Sequence, residues 1–87
     1  MDDKQQQFLE LFEPVRENLY RFSRALTKDD ELAKDLVSET VLKAYESFGK
    51  IREKRSFKSY VFTIASRSYK KYKWRRRFFS DSEDDVY

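Results

Sequence analysis

The hydrophobic pattern of the first third of the chain predicts an amphipathic α-helix. Its apolar residues recur at alternating steps of four and three, at Phe8, Phe12, Val15, Leu19, Phe22 and Leu26. The polar residues 1–7 before this stripe are expected to be frayed. Pro14 lies inside the stripe and has no N–H to donate to residue 10. We therefore expect the helix either to kink or to restart at Pro14.

The next periodic segment predicts a second helix from about Glu31 to Phe48. A polar break at residues 27–30 precedes it, and either Asp29 or Asp30 would serve as its N-cap. Its apolar face comprises Ala33, Leu36, Val37, Thr40, Val41, Ala44 and Phe48. Its opposite face carries Lys34, Asp35, Ser38, Glu39, Leu42, Lys43 and Glu46. We expect Gly49 to end this helix as its C′ residue.

A third helix is expected to follow the basic connection Lys50–Arg55, with Ser56 as its cap and Phe57 as its first residue. One face carries Phe57, Tyr60, Val61, Ile64, Ala65, Ser68 and Tyr72. The opposite face carries Ser59, Thr63, Ser66, Arg67, Lys70, Lys73, Trp74 and Arg77, while Phe62 and Tyr69 fall between the two faces. The helix should fade near Arg77. The pattern thus predicts an all-α bundle of three main helices over residues 1–79, followed by a disordered acidic tail or linker at residues 80–87.

Composition narrows the possible functions. Eighty-seven residues make one domain with a small core. The chain has neither cysteine nor histidine, which removes disulfides and the commonest metal ligand and general base. No catalytic constellation is present, so we expect neither an enzyme nor a cofactor. No apolar run approaches the ~20 residues of a membrane span and no signal peptide opens the chain, so we expect a cytoplasmic protein without membrane insertion.

The charges of the chain are segregated. The segment Phe48–Phe79 holds twelve of the nineteen Lys and Arg residues, one acid (Glu53) and nine aromatic residues, while the segments on either side are net acidic. Bases for phosphate and rings for stacking are what a single-stranded nucleic-acid site requires. The alternative is that the rings belong to the core and the bases form a solvated helix face.

A second charge feature lies on the polar face of the second helix. Asp35 and Glu39, and likewise Glu39 and Lys43, are one helical turn apart. The like-charged pair is unfavourable for the helix alone. It indicates either a basic partner or an ordinary solvated face.

Two segments of the chain resemble a known family. Leu26-Thr27, Ala33, Asp35-Leu36-Val37, Glu39-Thr40 and Leu42-Lys43-Ala44-Tyr45 resemble the "LTGD…A-x-DLVQETFLRAW" segment of bacterial extracytoplasmic-function sigma factors. Further along, Ser56-Phe57-Lys58-Ser59-Tyr60-Val61-Phe62-Thr63-Ile64-Ala65 resembles their "SFRAWLFTIARN" segment, and Arg75-Arg76-Arg77 matches their basic ending. The order and spacing of these segments together resemble region 2 of that family over roughly residues 8–79.

The resemblance implies a sigma factor domain that binds core RNA polymerase and recognises and melts the promoter minus-ten element. The implied contacts to the clamp helices of the largest polymerase subunit are Asp35, Ser38, Glu39 and Lys43. The implied contacts to promoter DNA, chiefly the non-template strand, are Lys50, Arg52, Lys54, Arg55, Ser56, Lys58, Ser59, Thr63, Arg67, Lys70, Lys73 and Trp74. An anti-sigma factor is a further implied partner.

Three departures from the family pattern bear on base preference. Ser38 stands where the family often has Gln, Tyr60 where it often has Trp, and Arg67 where it often has Asn. Two other interpretations of the basic block stay open: a protein-interaction module that meets an acidic partner, and a sequence-independent single-strand binder. We expect the chain to be an excised domain, and its tail either to be an inert linker or to compete with DNA for the basic face.

Overall fold

The computed structural model describes residues 3–50 and 56–86, with side chains described as far as residue 76. The described chain forms helix α1 (Asp3–Thr27), helix α2 (Asp30–Glu46), a short 3₁₀ helix (Phe48–Lys50) and helix α3 (Phe57–Val86). This confirms the predicted all-α bundle of three main helices, and no strand occurs within these residues. The predicted connection at residues 51–55 lies outside the described part of the chain.

Helix α1 departs from its prediction in two ways. It begins at Asp3, so residues 3–7 are helical although they are exposed. It also continues through Pro14, so of the two predicted alternatives the restart is wrong. A proline removes one backbone hydrogen bond from a helix. Phe12 and Val15 on either side of Pro14 are buried, and their packing holds both halves against the core.

The corner between α1 and α2 is fixed by local hydrogen bonds. Lys28 adopts a left-handed φ of 58°, and its N–H donates to the carbonyl oxygen of Arg24 at 2.8 Å. Asp29 is the N-cap of α2, because its carboxylate accepts from the backbone N–H of Leu32 at 2.9 Å. Asp30 accepts from Arg24 Nε at 2.7 Å. These contacts set the direction in which α2 leaves α1.

We expect Asp29→Ala to lower the free energy of unfolding by about 1 kcal/mol, because it removes an N-cap acceptor. Asp29→Asn is the matched control, since Asn caps as well as Asp and should restore most of the loss. Chemical denaturation followed by circular dichroism measures both variants. Equal stability of the alanine and asparagine variants would show that the cap contributes nothing.

The end of α2 corrects the prediction for Gly49. The helix ends at Glu46 and Ser47 is its C-cap; the Ser47 N–H and Oγ both donate to the Lys43 carbonyl oxygen, at 3.1 and 2.8 Å. Gly49 lies within the following 3₁₀ helix and has no positive φ. A tightened turn, rather than a left-handed cap, carries Phe48 into the core, where it is only 2% exposed.

The core is centred on the ring of Phe8. Its centroid lies 5.7 Å from that of Phe12, 5.3 Å from Tyr45, 5.5 Å from Phe48 and 5.6 Å from Phe57. One α1 side chain therefore contacts α2, the 3₁₀ helix and α3. The three predicted apolar stripes meet around this cluster. Their least exposed residues are Leu19, Ala33, Thr40, Ala44, Val61 and Ala65.

Helix α3 continues to Val86 instead of fading near Arg77. No glycine or proline occurs between Phe57 and Val86, so no residue type that breaks a helix interrupts it. Thirty residues span about 45 Å at 1.5 Å per residue, comparable with the 47 Å longest dimension of the fold. The acidic residues 81–85 therefore continue along the helix axis, and they could fold back onto Arg67 or Lys70 only if α3 broke.

Candidate protein and nucleic-acid interfaces

The outward face of α2 combines polar residues with one exposed leucine. Asp35 and Ser38 are exposed, as expected for residues predicted to bind a partner. Leu42, one turn after Ser38, is 58% exposed, the most exposed large hydrophobic among the described residues. The sequence had placed Leu42 on this polar face, but it was not included among the predicted site residues. An apolar side chain among polar ones was the signal that could have added it.

Ser38 and Leu42 also border an open apolar groove between α1 and α2. The groove has a volume of about 470 Å³, and its other lining residues are Gln5, Phe8, Leu9, Val37, Val41 and Tyr45. Leu9 is 40% exposed at its edge. The outward face of α2 thus offers a partner both charge and apolar area.

Glu39 and Lys43 lie at the other edge of α2 and turn towards α3. Lys43 Nζ donates to Glu39 Oε2 at 2.9 Å and to Ser68 Oγ of α3 at 3.3 Å. The hydrogen bond from Lys43 holds the pKa of Glu39 below its ordinary value, and partial burial acts in the opposite direction. This contact therefore stabilises the fold above the pKa of an unfolded glutamate, and the contribution is lost as the pH falls through the lowered value.

The four residues predicted to bind polymerase are consequently not equivalent. Ser38 borders the groove between α1 and α2, whereas Asp35, Glu39 and Lys43 line the groove between α2 and α3. Asp35 and Glu39 line the same end of that groove, with Tyr69 and the other residues Thr27, Leu32, Leu36, Ser68 and Tyr72. The predicted like-charged pair, Asp35 and Glu39, thus lies together, and Glu39 is hydrogen-bonded to Lys43.

The outer surface of α3 carries a ridge of hydroxyl groups and bases. Ser59, Thr63, Arg67, Lys70 and Trp74 follow one another at steps of three or four residues and all are exposed. We call these five residues the outer ridge. Its N-terminal part bears hydroxyls and its C-terminal part bears cations and an indole that is 53% exposed.

The remaining predicted DNA contacts lie around this ridge. Lys58 and Lys73 are exposed beside it, Ser56 is exposed before the helix starts, and Lys50 is exposed at the end of the 3₁₀ helix. The other three predicted contacts, Arg52, Lys54 and Arg55, lie outside the described residues. The structure therefore places the predicted DNA contacts of α3 on one surface, and the predicted contacts within residues 51–55 stay predictions.

Most aromatic rings near the basic segment are structural. Phe57 is 2% exposed, and the Tyr60 hydroxyl hydrogen-bonds with that of Ser47. Phe62, which neither predicted face explained, stacks on Phe22 of α1 with centroids 4.9 Å apart. The alternative that these rings belong to the core is therefore correct for Phe57 and Phe62, while Trp74 is left as the exposed ring of the outer ridge.

Tyr69 has a different setting. Its ring stacks on that of Tyr72 at 6.4 Å, and Lys73 Nζ lies 5.8 Å from its centroid. The two rings line the α2–α3 groove rather than the core beneath it. They form a half-buried aromatic wall behind the cations of α3.

The described residues form a small all-α domain with an exposed polar and apolar face on α2 and a cationic face on α3. A family model for sigma-70 region 2 matches residues 11–79, and the chain belongs to that family. Members of this family are non-catalytic sigma factor domains that act in promoter recognition and in binding core RNA polymerase. No curated protein and no solved structure matches the chain.

Within residues 3–50 and 56–86, none of the helices is both long and apolar enough to cross a membrane. The same part of the chain holds no group of three or more acidic residues arranged to bind a metal ion.

Proposed function

We propose that the chain is the minus-ten binding domain of an extracytoplasmic-function sigma factor, acting in the cytoplasm and controlled by an anti-sigma factor. The observation that supports this most is the separation of two faces in a sigma-70 region 2 domain. Exposed Asp35, Ser38 and Leu42 lie on α2, and the outer ridge lies on α3. One domain can therefore hold polymerase and DNA at the same time.

The α2 face is the proposed contact to the clamp helices of the largest polymerase subunit. Asp35 and Glu39 supply negative charge for basic residues of the partner, while Leu42 and the adjoining apolar groove supply area that can be removed from water. Ser38 lies between these two features. A rim of charge around an apolar centre is the usual composition of a specific interface.

The outer ridge is the proposed contact to the melted non-template strand. Arg67 and Lys70 are placed to neutralise phosphates, and Trp74 offers a face for stacking. Ser59 and Thr63 offer hydroxyl groups that can donate to or accept from base edges. By resemblance to the family, selection of the flipped base is assigned to residues 50–56, with Arg67 behind them.

Two binding experiments with the 87-residue chain test this proposal. The first is retention of the chain by immobilised core RNA polymerase, which neither a basic interaction module for some other acidic protein nor a sequence-independent strand binder requires. The second is selection of bound oligonucleotides from a random single-stranded pool, in which a minus-ten reader enriches a short motif. Absence of retention would contradict the sigma factor assignment, and retention without enrichment would leave polymerase binding but remove base selection.

Binding of single-stranded DNA should depend strongly on salt. If about four of Arg52, Lys54, Arg55, Arg67 and Lys70 engage phosphates, a slope of about −0.7 per contact predicts a loss of roughly 50-fold between ~50 and ~200 mM salt. Fluorescence anisotropy with a labelled oligonucleotide measures this directly. A slope near zero would exclude phosphate contact and with it DNA binding by the basic segment.

A further inference from the structure

We propose that the groove between α2 and α3 is a second phosphate-binding surface, which holds the backbone of the DNA strand whose bases lie on the outer ridge. The groove is defined by Lys43 of α2 and by Arg67, Lys71 and Arg75 of α3, and we call these four residues the phosphate track. Lys71 and Arg75 were not among the residues predicted to bind DNA, and Lys43 was predicted to bind polymerase. This inference rests on the proposed binding of DNA.

The spacing of the track suits a regular polyanion. Arg67, Lys71 and Arg75 follow one another at steps of four residues, which places each about 6 Å along the helix from the last. This is of the order of the separation between successive phosphates on one strand. Lys43 faces them from α2, and its ammonium is anchored at 3.3 Å from Ser68 Oγ on α3.

The same four bases line two adjoining parts of the groove. At one end Lys43, Arg67 and Lys71 surround about 260 Å³, together with Ser47, Tyr60, Ile64 and Ser68. At the other end Lys43, Lys71 and Arg75 surround about 290 Å³, together with Glu39, Ser68 and Tyr72. Each part is several times the roughly 30 Å³ that one water occupies in the liquid, so a phosphate can enter with part of its hydration shell.

The charge of the groove is positive where the track lines it. In those two parts four bases face one carboxylate, Glu39, which already accepts from Lys43, and Asp35 lies at the neighbouring end. Within residues 3–50 and 56–76, no ion pair involves Arg67, Lys71 or Arg75. Like charges held this close destabilise the free domain, and a bound polyanion removes that repulsion.

The position of Arg67 favours a DNA strand over an acidic protein segment. Arg67 belongs both to the outer ridge and to the track, so the two surfaces share this residue and lie side by side on α3. A strand that crosses α3 at Arg67 can place phosphates in the track and bases against Ser59, Thr63 and Trp74. An acidic protein segment has no bases to place against the outer ridge, so it would gain nothing from this shared origin.

The test compares two double variants that each remove two positive charges. Lys71→Ser with Arg75→Ser removes half of the track. Lys28→Ser with Lys34→Ser removes one exposed lysine from the corner between α1 and α2 and one from α2, away from both surfaces. The probe is a fluorescein-labelled single-stranded oligonucleotide, titrated at ~50 to ~200 mM salt. The track variant should have a salt slope smaller than that of the parent by about 1.4. The ratio of the parent's affinity to the variant's affinity should therefore fall roughly 7-fold from the lowest to the highest salt concentration. The lysine control should keep the parent slope.

A second probe separates phosphate contact from general charge. An oligonucleotide with neutral methylphosphonate linkages should bind the parent chain more weakly than the natural strand, and the track variant should be less sensitive to this replacement. A third variant, Lys70→Ser with Lys73→Ser, monitors the outer surface of α3. Circular dichroism of each variant checks that the fold is kept.

Each outcome decides between the two proposals. If the track variant keeps the parent slope while the Lys70 and Lys73 variant lowers it, the track proposal is wrong and DNA binding by α3 stands. If neither variant changes a steep parent slope, the track proposal is wrong and phosphate contact is left to Arg67 and residues 52–55; a parent slope near zero would remove DNA binding itself. If the track variant binds DNA as the parent does but is no longer retained by core polymerase, the groove takes an acidic protein segment and the phosphate assignment is overturned.

Discussion

Replacing Asp35 and Glu39 by alanine is expected to weaken binding to core RNA polymerase by about 2–5 kcal/mol, or roughly 30-fold to several thousand-fold. Asp35 is exposed on α2, and Glu39 lies one turn further along with half of its side chain in solvent. A basic partner that docks on this face would pair with both carboxylates. Removing them would leave its charges desolvated and unpaired, which is why the loss should exceed that of an exposed ion pair.

The control for this result has to separate docking from folding, because Glu39 also accepts from Lys43 beside α3. Glu31→Ala with Glu46→Ala removes the same charge from exposed positions of the same helix and should leave polymerase binding nearly unchanged. Surface plasmon resonance with immobilised core polymerase measures affinity, and thermal unfolding measures stability. If the Asp35 and Glu39 variant binds as tightly as the parent, the α2 face is not the docking surface.

The helices themselves could be predicted because burial repeats with the helical period. Leu19, Ala44 and Val61 each lie in a stripe read from the sequence, and all are inaccessible to solvent. Asp29 could be proposed as an N-cap since a short acceptor before an apolar-periodic segment satisfies free N–H groups at a helix start. These signals are local and need no knowledge of the partner helices.

Two expectations, the restart at Pro14 and the left-handed cap at Gly49, failed where tertiary contacts override local signals. Pro14 has the chemistry of a breaker, yet the buried residues around it keep α1 in one piece. Gly49 has the chemistry of a left-handed cap, yet the burial of Phe48 is achieved by a 3₁₀ turn. Propensity is a weak prior in both cases, because a large apolar side chain placed in the core contributes more than one backbone preference.

The sequence could predict which types of residue form the candidate site, but not which of them lie together in space. The sequence placed Lys43 on a polar face, but only the approach of α3 through Ser68 shows that its ammonium lies in the α2–α3 groove. Leu42 could be recognised as part of a site only together with Leu9, because the apolar groove that they border is built from two helices. A single helical wheel carries no information about which neighbour each edge meets.

Phe8→Ala is expected to lower the free energy of unfolding by about 3–5 kcal/mol, a large part of the ~5–15 kcal/mol that stabilises a small domain. Phe8 is 3% exposed, and its ring contacts those of Phe12, Tyr45, Phe48 and Phe57. The loss combines the burial of one phenyl group, the cavity that it leaves and the edge-to-face contacts with three other elements.

The loss of the Phe8 ring should also disturb the proposed DNA site. Phe48 and Phe57 lie on either side of residues 51–55, and both have edge-to-face contacts with Phe8, so its removal loosens the anchors of the connection assigned to base selection. Urea denaturation of Phe8→Ala, Phe8→Leu and the exposed control Gln7→Ala measures the effect, with the leucine intermediate and the control within about 0.5 kcal/mol of the parent. Phe8 precedes residue 11, where the sigma-70 region 2 match begins. If Phe8→Ala were no less stable than Gln7→Ala, the core would not extend beyond the family match, and the aromatic cluster would have no role in holding the connection.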